Sequence, residues 1–269
     1  MTIERIGLIA GSGQFPSIFS KAATQKGLDI YAVAHEGETD PALESLVQKT
    51  KWIKIGQVKK LITFFKENAV RDAVMVGAIT KTKMFSSVRP DLTALKILAT
   101  MDHTQDDRLL RAFADALERE GIKVRASTFL LPELLASGGC WTRRKPSKSE
   151  MADVHFGWRI VKEIGSLDIG QSVVVRDGSV MAVEAIDGTD ATIRRGGKLG
   201  REKTVVVKAS KPTQDMRFDV PAVGPETIKT MSSVGASVLA VEAGKTLVFD
   251  KEEMVALANK ERIAIIGME

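Results

Sequence analysis

Ile3-Glu4-Arg5-Ile6-Gly7-Leu8-Ile9-Ala10-Gly11-Ser12-Gly13-Gln14-Phe15-Pro16 is the stretch near the start of the chain from which the architecture can be read. Residues 3–10 read as a buried strand, apolar from Ile6 to Ala10 and followed by a glycine turn. Gly11-Ser12-Gly13 predicts a tight turn, and Pro16 suits the first turn of a helix reaching residue 26, where Gly27 closes it. Working outward, residues 29–34 read as a second strand. Residues 59–68 read as a helix with Leu61, Ile62, Phe64 and Phe65 on or near one face. The all-apolar run 73–79 suits a strand covered on both faces. Residues 106–120 carry a helical stripe of Leu109, Leu110, Phe113, Ala116 and Leu117, with Gly121 at the C-cap, and 122–127 is a further strand. Strands separated by helices imply a parallel sheet wrapped by helices, a Rossmann-like α/β domain.

The pattern changes between residues 136 and 150, where Ser, Gly, Pro and basic residues predominate and predict an interdomain linker. Beyond it, a helix over 149–164 leads to a hairpin whose Asp177-Gly178 turn is a strong type I′ signal. Its arms are 173–175 and 180–186. Strands follow at 204–209, 237–242, 246–249 and 263–266. Helices start at Pro225 and, with a capping-box-like Asp250 and Glu253, after residue 250. The expected organisation is a Rossmann-like domain over 1–135, a linker over 136–150, and a distinct catalytic α/β domain with a mixed sheet over 151–269.

Composition narrows the function. The 269 residues are 44% hydrophobic and 27% charged, typical of a chain that buries a core. Cys140 is the single cysteine, which rules out an internal disulfide or a cysteine-rich zinc site and fits a reducing compartment. No signal peptide or membrane-spanning run is visible, so a soluble protein is expected. The net charge of +5 is concentrated in Arg143-Arg144-Lys145-Pro146-Ser147-Lys148. No aromatics interleave with that stretch, which argues against nucleic acid.

Two constellations could carry chemistry. In Gly11-Ser12-Gly13-Gln14, backbone N–H groups before a helix N-terminus suit an anion. Pro16 replaces the third glycine of a dinucleotide fingerprint, so a phosphate-contacting turn and a plain strand-to-helix turn both remain open. The second is Glu184-Ala185-Ile186-Asp187-Gly188-Thr189-Asp190 together with residues 208–219, which supply Lys208, Lys211, Asp215, Arg217 and Asp219. Carboxylates suit Mg²⁺ or Mn²⁺, and Lys and Arg suit the phosphates that share the metal. That mixture is what pyrophosphate cleavage needs, and solvated turns with surface ion pairs are the alternative. His35, His103 and His155 lack metal-ligand spacing and read as structural or exposed. Without a Gly-x-Ser-x-Gly elbow a serine esterase is disfavoured. Thr80-Lys81 lies in a basic loop that faces phosphate or merely solvent.

The opening Gly7-Leu8-Ile9-Ala10-Gly11-Ser12-Gly13-Gln14-Phe15-Pro16 resembles the start of the LpxI-type UDP-2,3-diacylglucosamine pyrophosphatases. So do residues 168–175, 182–190, the long string Val207-Lys208-Ala209-Ser210-Lys211-Pro212-Thr213-Gln214-Asp215-Met216-Arg217-Phe218-Asp219 with its continuation to Pro225, and Val241-Glu242-Ala243-Gly244-Lys245-Thr246. The resemblance spans nearly the whole chain. It implies two domains with the site between them, and hydrolysis of UDP-2,3-diacylglucosamine to UMP and 2,3-diacylglucosamine 1-phosphate (lipid X) with Mg²⁺ or Mn²⁺, an early step of lipid A synthesis. A non-catalytic nucleotide-sugar or lipid-binding protein of the same fold is the alternative.

By motif matching, the resemblance makes Asp219 the essential acidic residue, as metal ligand or water-orienting group. Glu184 and Asp190 are second-rank catalytic candidates. Thr189, Lys208, Lys211, Gln214 and Arg217 would contact substrate or its phosphates, and Gly11, Ser12, Gly13 and Gln14 the phosphate or nucleotide. Where the family often has Glu-Gly-Thr-Asp, this chain has Asp187-Gly188-Thr189-Asp190, which weakens a ligand role for Asp187. Residues 92–101, Met84 and Phe85 are candidate walls for acyl chains, or ordinary core. The resemblance further implies a cytoplasmic enzyme in peripheral contact with the inner membrane, aided by the basic stretch, and it allows a homodimer.

Overall fold

A computed structural model describes residues 4–79, 90–99, 106–212, 214–217 and 220–269 of the chain. Contacts divide it into two compact units: residues 1–132 with 215–219, and residues 133–214 with 220–269.

The first unit holds β1 (Arg5–Ala10), β2 (Asp29–His35), β3 (Lys49–Ile53), β4 (Asp72–Val76) and β5 (Lys123–Val124), in the order β3-β2-β1-β4-β5. Every pairing is parallel. Helices α1 (Phe15–Gln25), α2 (Val58–Glu67), α3 (Leu92–Ala99) and α4 (Asp106–Arg119) accompany the sheet. Ile9 and Val33 pack with Leu61 and Phe65 of α2 and with Ala114 and Leu117 of α4. The Rossmann-like parallel sheet expected from the sequence is therefore present. β3 escapes the apolar-run criterion because Lys49-Thr50-Lys51-Trp52-Ile53 lies at the sheet edge, where Lys49 and Lys51 are exposed. At the far edge β5 is two residues long, shorter than the strand expected over 122–127.

The second unit contains β6 (Gly139–Cys140), α5 (Lys148–Ser166), β7 (Ser172–Arg176), β8 (Ser179–Val183), α6 (Thr189–Gly200) and β9 (Val205–Lys208). It continues with β10 (Ala222–Val223), α7 (Pro225–Ser232), β11 (Val238–Glu242), β12 (Leu247–Val248), α8 (Lys251–Lys260) and β13 (Ala264–Met268). Its main sheet runs β6-β13-β11-β9-β7-β8. The β13, β11 and β9 strands are parallel, whereas β6, β7 and β8 join antiparallel to their neighbours. This is the mixed sheet expected. Arg176 pairs with Ser179 across a two-residue turn in which Asp177 and Gly178 both have positive φ, as a type I′ hairpin requires. Two apolar layers cover the sheet, one around Val174, Val206 and Leu239 and the other around Val173, Val207 and Ala240. The alternation along each strand distributes these residues to opposite faces.

Three local readings differ from the sequence. Residues 136–150, expected as a linker, are part of the second unit: the Ala136 amide donates to Thr246 and β6 pairs with β13. Ser147 and Glu150 make a full capping box for α5. Residues 189–200, where no element is read from the sequence, form α6. Its Gly196-Gly197 pair suggests a break but serves contact, because a Cβ on Gly196 would meet Val174 at 2.5 Å and one on Gly197 would meet Val234 at 2.3 Å. Asp250 precedes α8 in the left-handed region, and its side chain makes no cap hydrogen bond.

Candidate active site

In the second unit, the carboxyl ends of β9 and β11, the end of β8 and the start of β7 all lie at one end of the sheet, where Ser172 pairs with Lys208 and Val173 with Val183. Open α/β sheets bind ligands beyond the carboxyl ends of their strands. Three of the residues expected to be functional meet there. Lys208 Nζ donates to Thr189 Oγ1 (3.0 Å) and to the Ala222 carbonyl (2.8 Å). Thr189 Oγ1 in turn donates to Glu184 Oε1 (3.1 Å), with Ser172 Oγ 3.4 Å away. Glu184 is 7% exposed, and its Oε2 is buried with no hydrogen-bond partner among the described residues. Thr189 opens α6 after Gly188, which has no side chain with which to cap the helix. A buried carboxylate, a relayed ammonium and an uncapped helix N-terminus form a polar cluster suited to a phosphorylated ligand.

The neighbouring residues fall into two groups. Asp190, in the first turn of α6, is exposed. Asp187 pairs with Arg195 (3.0 Å), and that hydrogen bond holds its carboxyl below the usual range. Lys211 is ion-paired with Asp168. The Lys211 amide donates to Gln214 Oε1 (2.8 Å), and Gln214 Nε2 donates to Gln171 Oε1 (3.3 Å). Lys211 and Gln214 therefore brace the start of the 209–219 segment, and Gln171 shares in that bracing.

Glu242, which motif reading quoted without a role, anchors the same segment. Its Oε2 accepts from Lys162 Nζ (2.7 Å), the Ser210 amide (2.8 Å) and Ser210 Oγ (2.6 Å), while Lys245 Nζ lies 3.0 Å from Oε1. Burial alone would raise its pKa, but the hydrogen bonds from Lys162, Ser210 and Lys245 outweigh burial and bring it down to about 2. No spacing rule pairs Lys162 with Glu242, since the partners are 80 residues apart.

Arg217 belongs to the first unit's share of the chain. Its guanidinium pairs with Asp215 (2.8 Å) and Glu118 (3.2 Å), and its carbonyl accepts from the Ser127 amide. Burial pushes the Asp215 carboxyl up, yet hydrogen bonds from Arg217 and the nearby Arg111 charge hold it below its ordinary value. The expected phosphate contact is thus already engaged with carboxylates. Asp219, Thr213, Lys81, Met84, Phe85 and His103 lie outside the described residues.

The glycine turn of the first unit sits at the carboxyl ends of β1 and β4. The Gly11 amide donates to Val76 and the Ser12 amide to Ala78, and the Ala78 amide returns a bond to the Ser12 carbonyl. Ser12 Oγ also donates to the Ala78 carbonyl (2.8 Å). The donors of Gly11 and Ser12 therefore close this turn. His35 is a buried structural residue: its Nδ1 lies 2.9 Å from the Ala10 carbonyl, and burial lowers its pKa.

Among the described residues no three His, Cys, Asp or Glu side chains converge to hold a metal ion, and no helix is long and apolar enough to cross a membrane.

Comparison with known proteins covers both units. Family models described as the LpxI N-terminal domain and the LpxI C-terminal domain match residues 5–134 and 137–266. A curated relative from Caulobacter vibrioides (strain ATCC 19089 / CIP 103742 / CB 15), UDP-2,3-diacylglucosamine pyrophosphatase LpxI, is 30% identical over 278 residues, covering 99% of this chain and 98% of its own length. Similar solved structures include a leucoanthocyanidin reductase–NADPH complex from Vitis vinifera (15% identity, 55% of this chain and 41% of that one, TM-score 0.29). Another is glycinamide-RNase-transformylase T from Mycobacterium tuberculosis (16% identity, 67% and 44%, TM-score 0.28). At such scores neither structure bears on fold or function. With both of its domain models matched and a full-length relative at this identity, the chain belongs to the LpxI family.

Proposed function

We propose that this enzyme hydrolyses the pyrophosphate bond of UDP-2,3-diacylglucosamine to UMP and 2,3-diacylglucosamine 1-phosphate, and that cleavage depends on a divalent metal. The observation that carries the reading is the end-to-end match with a relative named for that activity. The Glu184–Thr189–Lys208 cluster supports it chemically. Lys208 brings a positive charge beside the N-terminus of α6, and both favour a phosphate oxygen there. Glu184 accepts the Thr189 hydroxyl proton, so the lone pairs of that oxygen face Lys208 and the ammonium is held in place. Preorganised charge of this kind stabilises a phosphoryl group more as negative charge builds on it.

Mg²⁺ is commonly held by one or two carboxylates plus substrate phosphates, without an all-protein cage. The unpartnered Glu184 Oε2, a hard carboxylate oxygen, supports that mode. A bound metal would neutralise charge on the phosphoryl oxygens. Asp219 is assigned to hold the ion or orient the attacking water, and the proposal includes a cytoplasmic location next to the membrane that supplies the diacylated substrate.

The deciding experiment follows UMP and lipid X from UDP-2,3-diacylglucosamine in detergent micelles, with Mg²⁺ or Mn²⁺ and with EDTA. Metal-dependent release of both products is expected, and Asp219→Ala should lower turnover by orders of magnitude at unchanged melting temperature. Substrate binding without release in either metal would overturn the reading in favour of a binding protein.

A further inference from the structure

Leu167 (69% exposed) and Ile169 (46%) precede β7, and Ile186 (77%) follows the end of β8. The two loops are neighbours, because Val173 pairs with Val183 and the Glu184 amide donates to the Ser172 carbonyl. Large aliphatic tips thus stand at the end of the second unit's sheet that carries Glu184, Thr189 and Lys208. The carboxylates within the two loops are paired, Asp168 with Lys211 and Asp187 with Arg195, while Asp190 beyond them is exposed. Exposed aliphatic tips whose own loop acids are paired with cations suit a lipid surface, which accepts apolar side chains.

We propose that the loops 167–169 and 185–187 dock this end of the second unit on an anionic bilayer. The proposal rests on the diacylated substrate argued above, whose acyl chains lie in a bilayer and whose pyrophosphate must reach the site from it. It relocates the membrane contact expected from the basic stretch at residues 143–148. That stretch precedes α5 and the Leu167 loop follows it, so the 19-residue helix separates them by roughly 28 Å. Arg144, moreover, is engaged with Glu150 and the Ser237 carbonyl.

The test is sedimentation of the full chain with vesicles of phosphatidylethanolamine and phosphatidylglycerol. The variants are Leu167→Ser/Ile169→Ser/Ile186→Ser, Arg143→Gln/Lys145→Gln/Lys148→Gln, and Leu199→Ser. Leu199 is 65% exposed but lies near the opposite end of α6, so it controls for general loss of surface apolarity. The loop variant should lose on the order of tenfold or more in partitioning, as expected for withdrawing several aliphatic side chains from lipid. The other two should bind as the native chain does, and all three should retain hydrolysis of micellar substrate. Native-like vesicle binding by the loop variant, or no binding by the native chain, would overturn the proposal. So would a loop variant that keeps vesicle binding but loses micellar turnover, since the loops would then hold acyl chains. A loss of binding that tracks dissociation of a dimer in size-exclusion chromatography would also overturn it. Micellar hydrolysis reports on the proposed reaction separately from docking.

Discussion

Thr189 is the hinge of the candidate site because one hydroxyl serves two charged groups, donating to Glu184 and accepting from Lys208. Thr189→Val keeps the shape but leaves a buried carboxylate without its hydroxyl donor and takes one of its acceptors from Lys208, which keeps the Ala222 carbonyl. Turnover should fall roughly tenfold or more, with about 1–3 kcal/mol of stability lost. Thr189→Ser should restore turnover, and steady-state kinetics beside urea unfolding would separate the two effects. Recovery of stability without recovery of turnover in the serine variant would remove the hydroxyl from the mechanism. Glu242 gives a second test. Its carboxyl falls from an ordinary 4.5 to about 2, so the stability it contributes is complete above the unfolded value and is lost as pH drops through the interval. Glu242→Gln should cost on the order of 3 kcal/mol at pH 7, with the gap to the native chain closing between about pH 4.5 and pH 2. A gap that stays constant across that window in chemical unfolding would show that the ionised form is not what stabilises the fold.

Elements differ in how plainly the sequence announces them. The strands β1, β2, β9 and β11 are continuous apolar runs, and α2 and α4 are periodic enough to be read directly. What stayed hidden depends on partners distant in sequence. β3 looks polar because one of its edges faces solvent, β6 exists through two pairs with β13, and the paired glycines of α6 make sense once Val174 and Val234 are in place. The site follows the same division. Glu184, Thr189 and Lys208 come from strings that stand out in the sequence, but the hydrogen bonds that join them needed the hairpin and α6 together. The turn after β1 is a clear case of an element made by close approach, since a Cβ on Gly11 would lie 2.4 Å from the Ala78 carbonyl oxygen. That neighbour is backbone and cannot rotate away. Gly11→Ala should therefore destabilise the first unit by about 1–3 kcal/mol and lower the melting temperature in calorimetry, and an unchanged transition would refute the argument.

At the scale of the molecule, the family models divide the chain into two consecutive stretches, whereas packing divides it differently. Residues 215–219 belong with the first unit although 80 or more residues of the second precede them. There Arg217 meets Glu118, and the Ser127 amide finds its acceptor. The first unit is consequently completed by a segment translated long after the rest of it has left the ribosome, and the N-terminal stretch alone is not a self-contained module. Gene fusion, domain shuffling or split-protein reassembly that cuts near residue 133 would orphan this segment in the wrong piece.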